Sequence, residues 1–482
     1  MSKVTNRDEF RGSQPARHRG NDKSRPFKDS RKRPPNETTE GDDKRSIDFS
    51  KTPGAETRAA AVDLLYITDS GSSLDEALDS SARFNALEGA DRAFARAIAS
   101  TTLRRRGAID SLIADHLDRP FPKRSKRALH VLRATAAQIV FLDVAPHAAV
   151  STAVAICKAY RETAALAGVV NAISRRITET GKARVDGMPL RIDTAGWLWR
   201  SWERAYGPPT TRAIAKAHAN QAPIDLTIKD PARFSEFLER TGGKAIGDRT
   251  IRIADNTQVP DLPGYANGDW WVQDAAAALP VALFGDVTGK TALDLCAAPG
   301  GKTMQLAAGG AKVTAVDQSA RRLERLNDNL KRTKLEAIVI QDDVRTFKPN
   351  QQFDVVLLDA PCTATGTIRR HPDVMWWKTE ESLDALVALQ SKLIDHAIAF
   401  VKPGGILVYC TCSLQPEEGE KQVEGALKRR RKLTKLEVDP GVLGPFSSAV
   451  RDGATIRTTP AMLAADGGCD GFFAAGFRVG SA

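Results

Sequence analysis

From Ala292 to Cys410 the chain alternates short apolar runs with helix-like stretches: Ala292–Leu295, Lys312–Val316, Ala337–Ile340, Asp354–Leu358 and Ile406–Cys410. Strands that alternate with helices are joined by crossover connections, which predicts a doubly wound parallel sheet. In such a sheet ligands bind beyond the carboxyl ends of the strands. The residues at those ends are therefore the informative ones. The first run breaks into Cys296-Ala-Ala-Pro-Gly-Gly-Lys-Thr303. Asp317 follows the second, Asp343 the third, Asp359-Ala-Pro-Cys362 the fourth, and Thr411-Cys-Ser413 the fifth.

The glycine turn lacks both the Gly-x-Gly-x-x-Gly spacing of a dinucleotide site and the Gly-x-x-x-x-Gly-Lys-Ser/Thr spacing of a phosphate loop. A cofactor without phosphate is favoured, and S-adenosylmethionine fits. Glycine lets the backbone approach such a ligand closely. Asp317 is placed to accept from ribose hydroxyls and Asp343 from an adenine amino group. A lone acidic residue at a strand end is often a helix cap, but three at successive strands (317, 343, 359) point to a binding rim.

Two thiols, Cys362 and Cys412, fall at the same rim. Carbon 5 of cytosine is a poor nucleophile. Addition of a thiolate at C6 turns the ring into an enamine whose C5 takes up a methyl group. A base then removes the C5 proton and the thiol leaves. Cysteine suits this because it adds and leaves readily. Asp359 can share a proton with N3 of the base. An amino-nitrogen methyltransferase needs no thiol and usually carries Asp/Asn-Pro-Pro-aromatic here; Asp359-Ala-Pro-Cys362 argues for carbon.

Charge is uneven. Residues 1–50 hold 13 Lys or Arg against 9 Asp or Glu, residues 51–185 hold 20 against 14, and the rest 37 against 36, so nearly all of the net +11 lies in the first 185 residues. Such an excess points to a polyanion, most often nucleic acid. Residues 1–50 lack apolar periodicity and are expected to be disordered. No run of about 18 apolar residues is present and the N-terminus is polar, so no membrane association is expected and the cytoplasm is the expected location. The six cysteines, at 157, 296, 362, 410, 412 and 469, are expected to be reduced thiols. No metal is expected, and the protein is expected to act as a monomer.

Residues 53–185 read as an all-α bundle. Ser73-Leu-Asp-Glu76 matches a capping box, and Ala128, Leu129, Leu132, Ala136, Ile139 and Val140 mark an apolar helix face. The basic clusters Arg104, Arg105, Arg106 and Lys123, Arg124, Lys126, Arg127 are candidate phosphate contacts. The stretch resembles the NusB-like RNA-binding domain in Asp91-Arg-Ala-Phe-Ala-Arg96, Leu103-Arg104 and Val170-Asn-Ala-Ile-Ser-Arg175. Between 186 and 265, Trp197, Trp199 and Trp202 sit on a helix expected to end near Gly207-Pro-Pro209 and to serve packing. Ile224–Lys229 and Thr250–Ile253 alternate as strands do.

Residues 268–482 resemble the Sun/Fmu-type RNA cytosine-5 methyltransferases in Gly268-Asp-Trp-Trp-Val-Gln-Asp274, the 293–303 segment, Asp359-Ala-Pro-Cys362, Gly404-Gly405, Thr411-Cys-Ser413 and Asp470-Gly-Phe-Phe473. With the helical domain in front, the resemblance is to the bacterial branch that modifies small-subunit ribosomal RNA. It implies that Cys412 is the nucleophile and that Cys362 aids product release; exchanged roles are the internal alternative. The candidate catalytic set is Cys412, Cys362, Asp359 and Lys302. The candidate cofactor set is Cys296, Ala297, Ala298, Pro299, Gly300, Gly301, Lys302, Asp317, Arg322, Asp343 and Asp359. Arg369 and Arg370 are candidate RNA contacts. Cys410, where relatives usually carry serine, is expected to point away from Cys412 and to be packing.

The expected architecture is multi-domain α plus α/β. A disordered basic tail (1–50) precedes a NusB-like bundle (53–185), a small α+β linker domain (186–265) and a doubly wound Rossmann-like methyltransferase domain (266–482). The expected activity is S-adenosylmethionine-dependent methylation of cytosine C5 in RNA. The rival is a non-catalytic RNA-binding ribosome-assembly factor.

Overall fold

The computed structural model describes residue 49 and residues 51–117, 119–122, 125–253 and 258–480. The expected tail and the candidate contacts Lys123 and Arg124 lie outside the described residues, apart from Phe49.

The front of the chain is helical throughout: Ala55–Asp69, Leu74–Ser80, Ala82–Asn85, Gly89–Arg104, Arg106–Ala114, Lys126–Phe141, Pro146–Ala159 and Ala167–Asp186. The capping box forms, with Ser73 Oγ accepting from Glu76 N at 3.2 Å and Glu76 Oε2 accepting from Ser73 N at 2.8 Å. Ala128, Leu132, Ala136 and Val140 are buried in one row, as the 3.6-residue period requires, while Leu129 and Ile139 at its margin are half-buried.

The tryptophan helix does not end at Gly207-Pro-Pro209. It kinks there, with Gly207 at φ 77°, and continues to His218. Glycine takes the left-handed turn without a Cβ clash, and proline restarts a helix at its first turn, where no N–H is needed. Trp202 and Leu198 are fully buried against Ile368, Val374, Met375 and Leu414, so these tryptophans pack as expected.

A small sheet follows, of strands β1 (Ile224–Ile228), β2 (Lys244–Ile246), β3 (Thr250–Ile253) and β4 (Trp270–Val272), in the order β2-β3-β1-β4. Its fourth strand lies beyond residue 265, so the sheet crosses the expected boundary.

The catalytic sheet is built on β5 (Thr291–Leu295), β6 (Lys312–Asp317), β7 (Ile338–Gln341), β8 (Phe353–Asp359) and β9 (Val401–Thr411), all parallel. Four further strands complete it: β10 (Leu433–Lys435), β11 (Val450–Arg451), β12 (Thr455–Arg457) and β13 (Phe473–Val479). The order is β11-β12-β13-β9-β8-β5-β6-β7, with β10 beside β13. The chain steps outward from β5 to β7, then returns to the other side of β5 with β8. That reversal opens a crevice at the carboxyl ends of β5 and β8.

Both faces of the sheet are covered, which is why its strands read as continuous apolar runs. Val355, Leu357, Val408 and Cys410 enter one core; Val356, Leu358, Leu407 and Tyr409 enter the other. The antiparallel edge was not foreseen: β13 lies antiparallel to β9, pairing Phe473 with Thr411 and Ala474 with Cys410. Helix Ala320–Thr333 covers the β6 side with Leu323, Leu326 and Leu330, spaced three and four apart as one buried helix face.

Candidate active site

The turn after β5 is shaped by its backbone. Cys296 takes φ 63°, a left-handed conformation that L-residues adopt at a cost, while Ala297 N–H still reaches Val316 O at 3.1 Å. Gly300, at φ 103°, starts helix Gly301–Ala308. A Cβ on Gly300 would stand 3.0 Å from Leu326 Cγ, so the turn lies tight against the neighbouring helix.

Asp317 staples this turn. Its carboxylate accepts from Ala298 N at 3.2 Å and Ser319 N at 3.0 Å, and Arg322 lies 3.3 Å away while also donating to Ala298 O. Asp343, past β7, accepts from Arg345 N and Nε, each at 2.9 Å. Asp294, on β5, is buried; Thr303 donates to its Oδ2 at 2.6 Å and its Oδ1 meets no donor among the described residues. Burial pushes the Asp294 carboxyl up to about 7, Thr303 opposing and Asp359 adding to the shift. A glycine turn, successive carboxylates at strand ends and an orphaned buried oxygen together fit a polar, phosphate-free adenosyl ligand. Asp317, Asp343 and the 296–302 turn are the residues that would hold it.

Asp359 ends β8. Its Oδ2 accepts from Lys302 Nζ at 2.7 Å, and Lys302 Nζ lies 4.8 Å from the Phe472 ring centroid. Burial alone would lower the Lys302 pKa, but the Asp359 carboxylate outweighs it and holds the group above its ordinary value, as an ammonium. The 359–362 loop then brings Cys362 Sγ to 3.4 Å from Cys412 Sγ. A hydrogen bond with Cys412, then burial, pushes the Cys362 thiol far above the usual range.

Cys410 corrects an expectation. Residues two apart on a strand share a face, so Cys410 and Cys412 point the same way and both pack on one core. The Cys410 thiol faces Asp359 Oδ1 at 3.5 Å. Burial and that carboxylate push its pKa far up, so it remains a neutral donor.

Arg369 is a second correction. It is 1% exposed and donates to Asp470 Oδ1 at 2.7 Å, Asp274 Oδ2 at 2.6 Å and Gly467 O at 2.7 Å. Arg370 completes the square, 3.1 Å from Asp470 Oδ2 and 2.7 Å from Asp274 Oδ2. Although burial opposes it, the two guanidiniums hold Asp274 well below the carboxylate range. No side of Arg369 is left for a phosphate. The front cluster is likewise engaged inside the protein: Arg104 donates to Arg369 O at 2.7 Å, Arg105 pairs with Asp193 at 2.9 Å, and Arg106 stands over Trp376 at 5.5 Å.

Several supporting residues went unread in the sequence. Tyr206, on the kinked helix, donates to Leu414 O at 2.5 Å, and Ser201 donates to Gln415 at 3.1 Å, so that helix braces the loop after Cys412. Glu418 lies buried beneath both cysteine loops; the one available signal was its place in Pro416-Glu-Glu-Gly-Glu420. Among the described residues no group of three or more His, Cys, Asp or Glu is arranged to hold a metal, and no helix is long and apolar enough to cross a membrane.

A doubly wound sheet with this rim, carried behind a helical bundle, defines a Rossmann-type methyltransferase joined to a NusB-type domain. The family model for 16S rRNA methyltransferase RsmB/F matches residues 282–478, and that for the NusB family matches residues 55–179. Ribosomal RNA small subunit methyltransferase B of Xanthomonas campestris is 36% identical over 394 residues, covering 78% of this chain and 88% of that protein. The Vibrio vulnificus protein of the same name is 34% identical, covering 77% and 91%. Among solved structures, that of PH0851 superposes with a TM-score of 0.68 at 22% identity, over 88% of this chain and 98% of that one. The chain belongs to the RsmB/F family of methyltransferases, whose methyl donor is S-adenosylmethionine.

Proposed function

We propose that the protein methylates carbon 5 of a cytosine in small-subunit ribosomal RNA, through a covalent bond between Cys412 Sγ and cytosine C6. The observation that carries this reading is the pair of thiols 3.4 Å apart at the strand ends, beside the Lys302–Asp359 pair. S-adenosylmethionine, when bound, supplies a methyl group carried on a sulfonium.

The chain's own residues do the rest. Cys412 adds as thiolate to C6, and the electron pair released into the ring makes C5 nucleophilic. Asp359, oriented by Lys302, shares a proton with N3 and stabilises the adduct. Once C5 carries the methyl group, a water-derived base takes the C5 proton, and Cys362, beside the adduct, aids release of the product. The C6–S bond breaks, and Cys412 leaves with its electron pair as thiolate. The rRNA assignment rests on the relatives' names and on the NusB-type domain. Unstacking a base from folded RNA costs on the order of a few kcal/mol, and phosphate contacts on the basic front half can offset it.

Incubation with RNA and the methyl donor, followed by a denaturing gel, tests the scheme. Cys362→Ala is expected to accumulate an RNA-linked band and Cys412→Ala to give none. The reverse pattern would exchange the two roles. Bisulfite sequencing of ribosomal RNA from a deletion strain that shows no lost methylcytosine would reject the reaction. Full cellular function of Cys412→Ala would favour the assembly-factor reading instead.

A further inference from the structure

We propose that Glu418 is a positioning residue that sets the spacing of the Cys362 and Cys412 thiols. The inference rests on the reading of those thiols as the reacting pair. Glu418 is fully buried, and its carboxylate is met by neutral donors. Oε1 accepts from Thr363 N and from Gln390 Nε2, each at 2.9 Å, and Oε2 accepts from Thr363 Oγ1 at 2.5 Å. A buried carboxylate satisfied in this way is costly to bury, so its place is informative.

Its side chain holds the residue that follows Cys362. Its main chain holds the strand that leads to Cys412: Glu418 O accepts from Tyr409 OH at 2.7 Å and from Thr411 Oγ1 at 3.3 Å. Thr363 Oγ1 lies 3.1 Å from Ser413 Oγ, so the far side of Cys412 is tied to the same knot. One residue thus grips both cysteine loops, next to each thiol. Its charge also bears on Cys362. After the Cys412 hydrogen bond and burial, the Glu418 carboxylate adds to the cost of ionising that thiol. The other groups that face Cys362 are Tyr409 on β9 and the Lys378 ammonium; the ammonium acts in the opposite sense.

The test uses the full chain without RNA or methyl donor. Phenylarsine oxide captures two thiols only when they are close, and Cys362→Ala identifies the signal of this pair by abolishing it. Glu418→Gln turns an amide N–H towards donors that need an acceptor. Misplacement of reacting groups by about 1 Å can cost up to 10²-fold in rate, so capture is expected to slow about tenfold or more.

A second readout separates positioning from mere support. In a Cys412→Ser background, Glu418→Gln is expected to move the alkylation midpoint of Cys362 by iodoacetamide to lower pH, because a negative neighbour has gone. Either quantity unchanged in Glu418→Gln overturns the proposal. If that variant does not fold, Thr363→Val removes one arm and keeps the carboxylate; unchanged capture there overturns it equally. Failure of the adduct experiment would reject the reaction scheme while these two measurements stood.

Discussion

Replacing Arg369 by Met separates a structural arginine from an RNA-binding one. Methionine keeps much of the apolar stem but removes the charge and all three hydrogen bonds. Asp274 and Asp470, both buried, are then left to share the Arg370 guanidinium. Breaking a buried ion pair by deleting one partner costs about 3–5 kcal/mol, and this range is the expected loss for Arg369→Met. Restoring the charge balance with Asp470→Asn should recover part of it, with a coupling of about 0.5–3 kcal/mol. Urea unfolding followed by tryptophan fluorescence reads the loss, since Trp270 and Trp271 are buried on the adjoining strand. A loss within about 0.5 kcal/mol, the usual range for surface positions, would refute the argument. A second assay bears on the same point. If Arg369 bound a phosphate, its loss would lower the slope of log affinity against log salt by about 0.7–0.9. The buried network predicts an unchanged slope.

Asp294 gives a pH signature. Its folded pKa is raised, to about 7 from an ordinary 3.8, so the folded state binds the proton more tightly than the unfolded chain does. The stability it contributes is complete below the unfolded value and is lost as pH rises through about 7. Asp294→Asn, which still accepts from Thr303, is therefore expected to gain in Tm over the parent as pH climbs from about 4 to about 8; a pH-independent difference would refute this. Gly366→Ala would place a Cβ 1.9 Å from Gly471 O, where Gly366 N–H also reaches Cys412 O at 3.0 Å. It is expected to abolish methyl transfer and lower Tm, read by melting and a methyl-incorporation assay.

The parallel strands were legible because a strand buried on both faces has to be apolar along its length, and each of the five was placed within a few residues. The thiol pair and the carboxylate rim followed from position, since every motif falls where a strand stops. The antiparallel edge was not legible. β11 and β12 are too short to carry a pattern, and β13 (Phe473–Val479) is bounded by nothing that says which neighbour it takes. Arg369 and Arg370 misled because a sequence shows two cations and not the two carboxylates, about a hundred residues away on either side, that enclose them. Cys410 was misplaced by a slip in strand period, not by any silence of the sequence. Glu418 illustrates another limit: a glutamate in a polar loop reads as solvated until both loops above it are in place.

The front bundle has one more consequence for the enzyme. Leu103 O accepts from Trp376 Nε1 at 2.6 Å, Leu74 N donates to Asp373 at 3.2 Å, and Arg104 reaches Arg369 O. All three contacts land on the short stretch of chain between the two cysteine motifs. These hydrogen bonds seat the bundle directly on the catalytic domain. A bundle borrowed from another protein would have to reproduce this docking face, donor for acceptor, to sit in the same place.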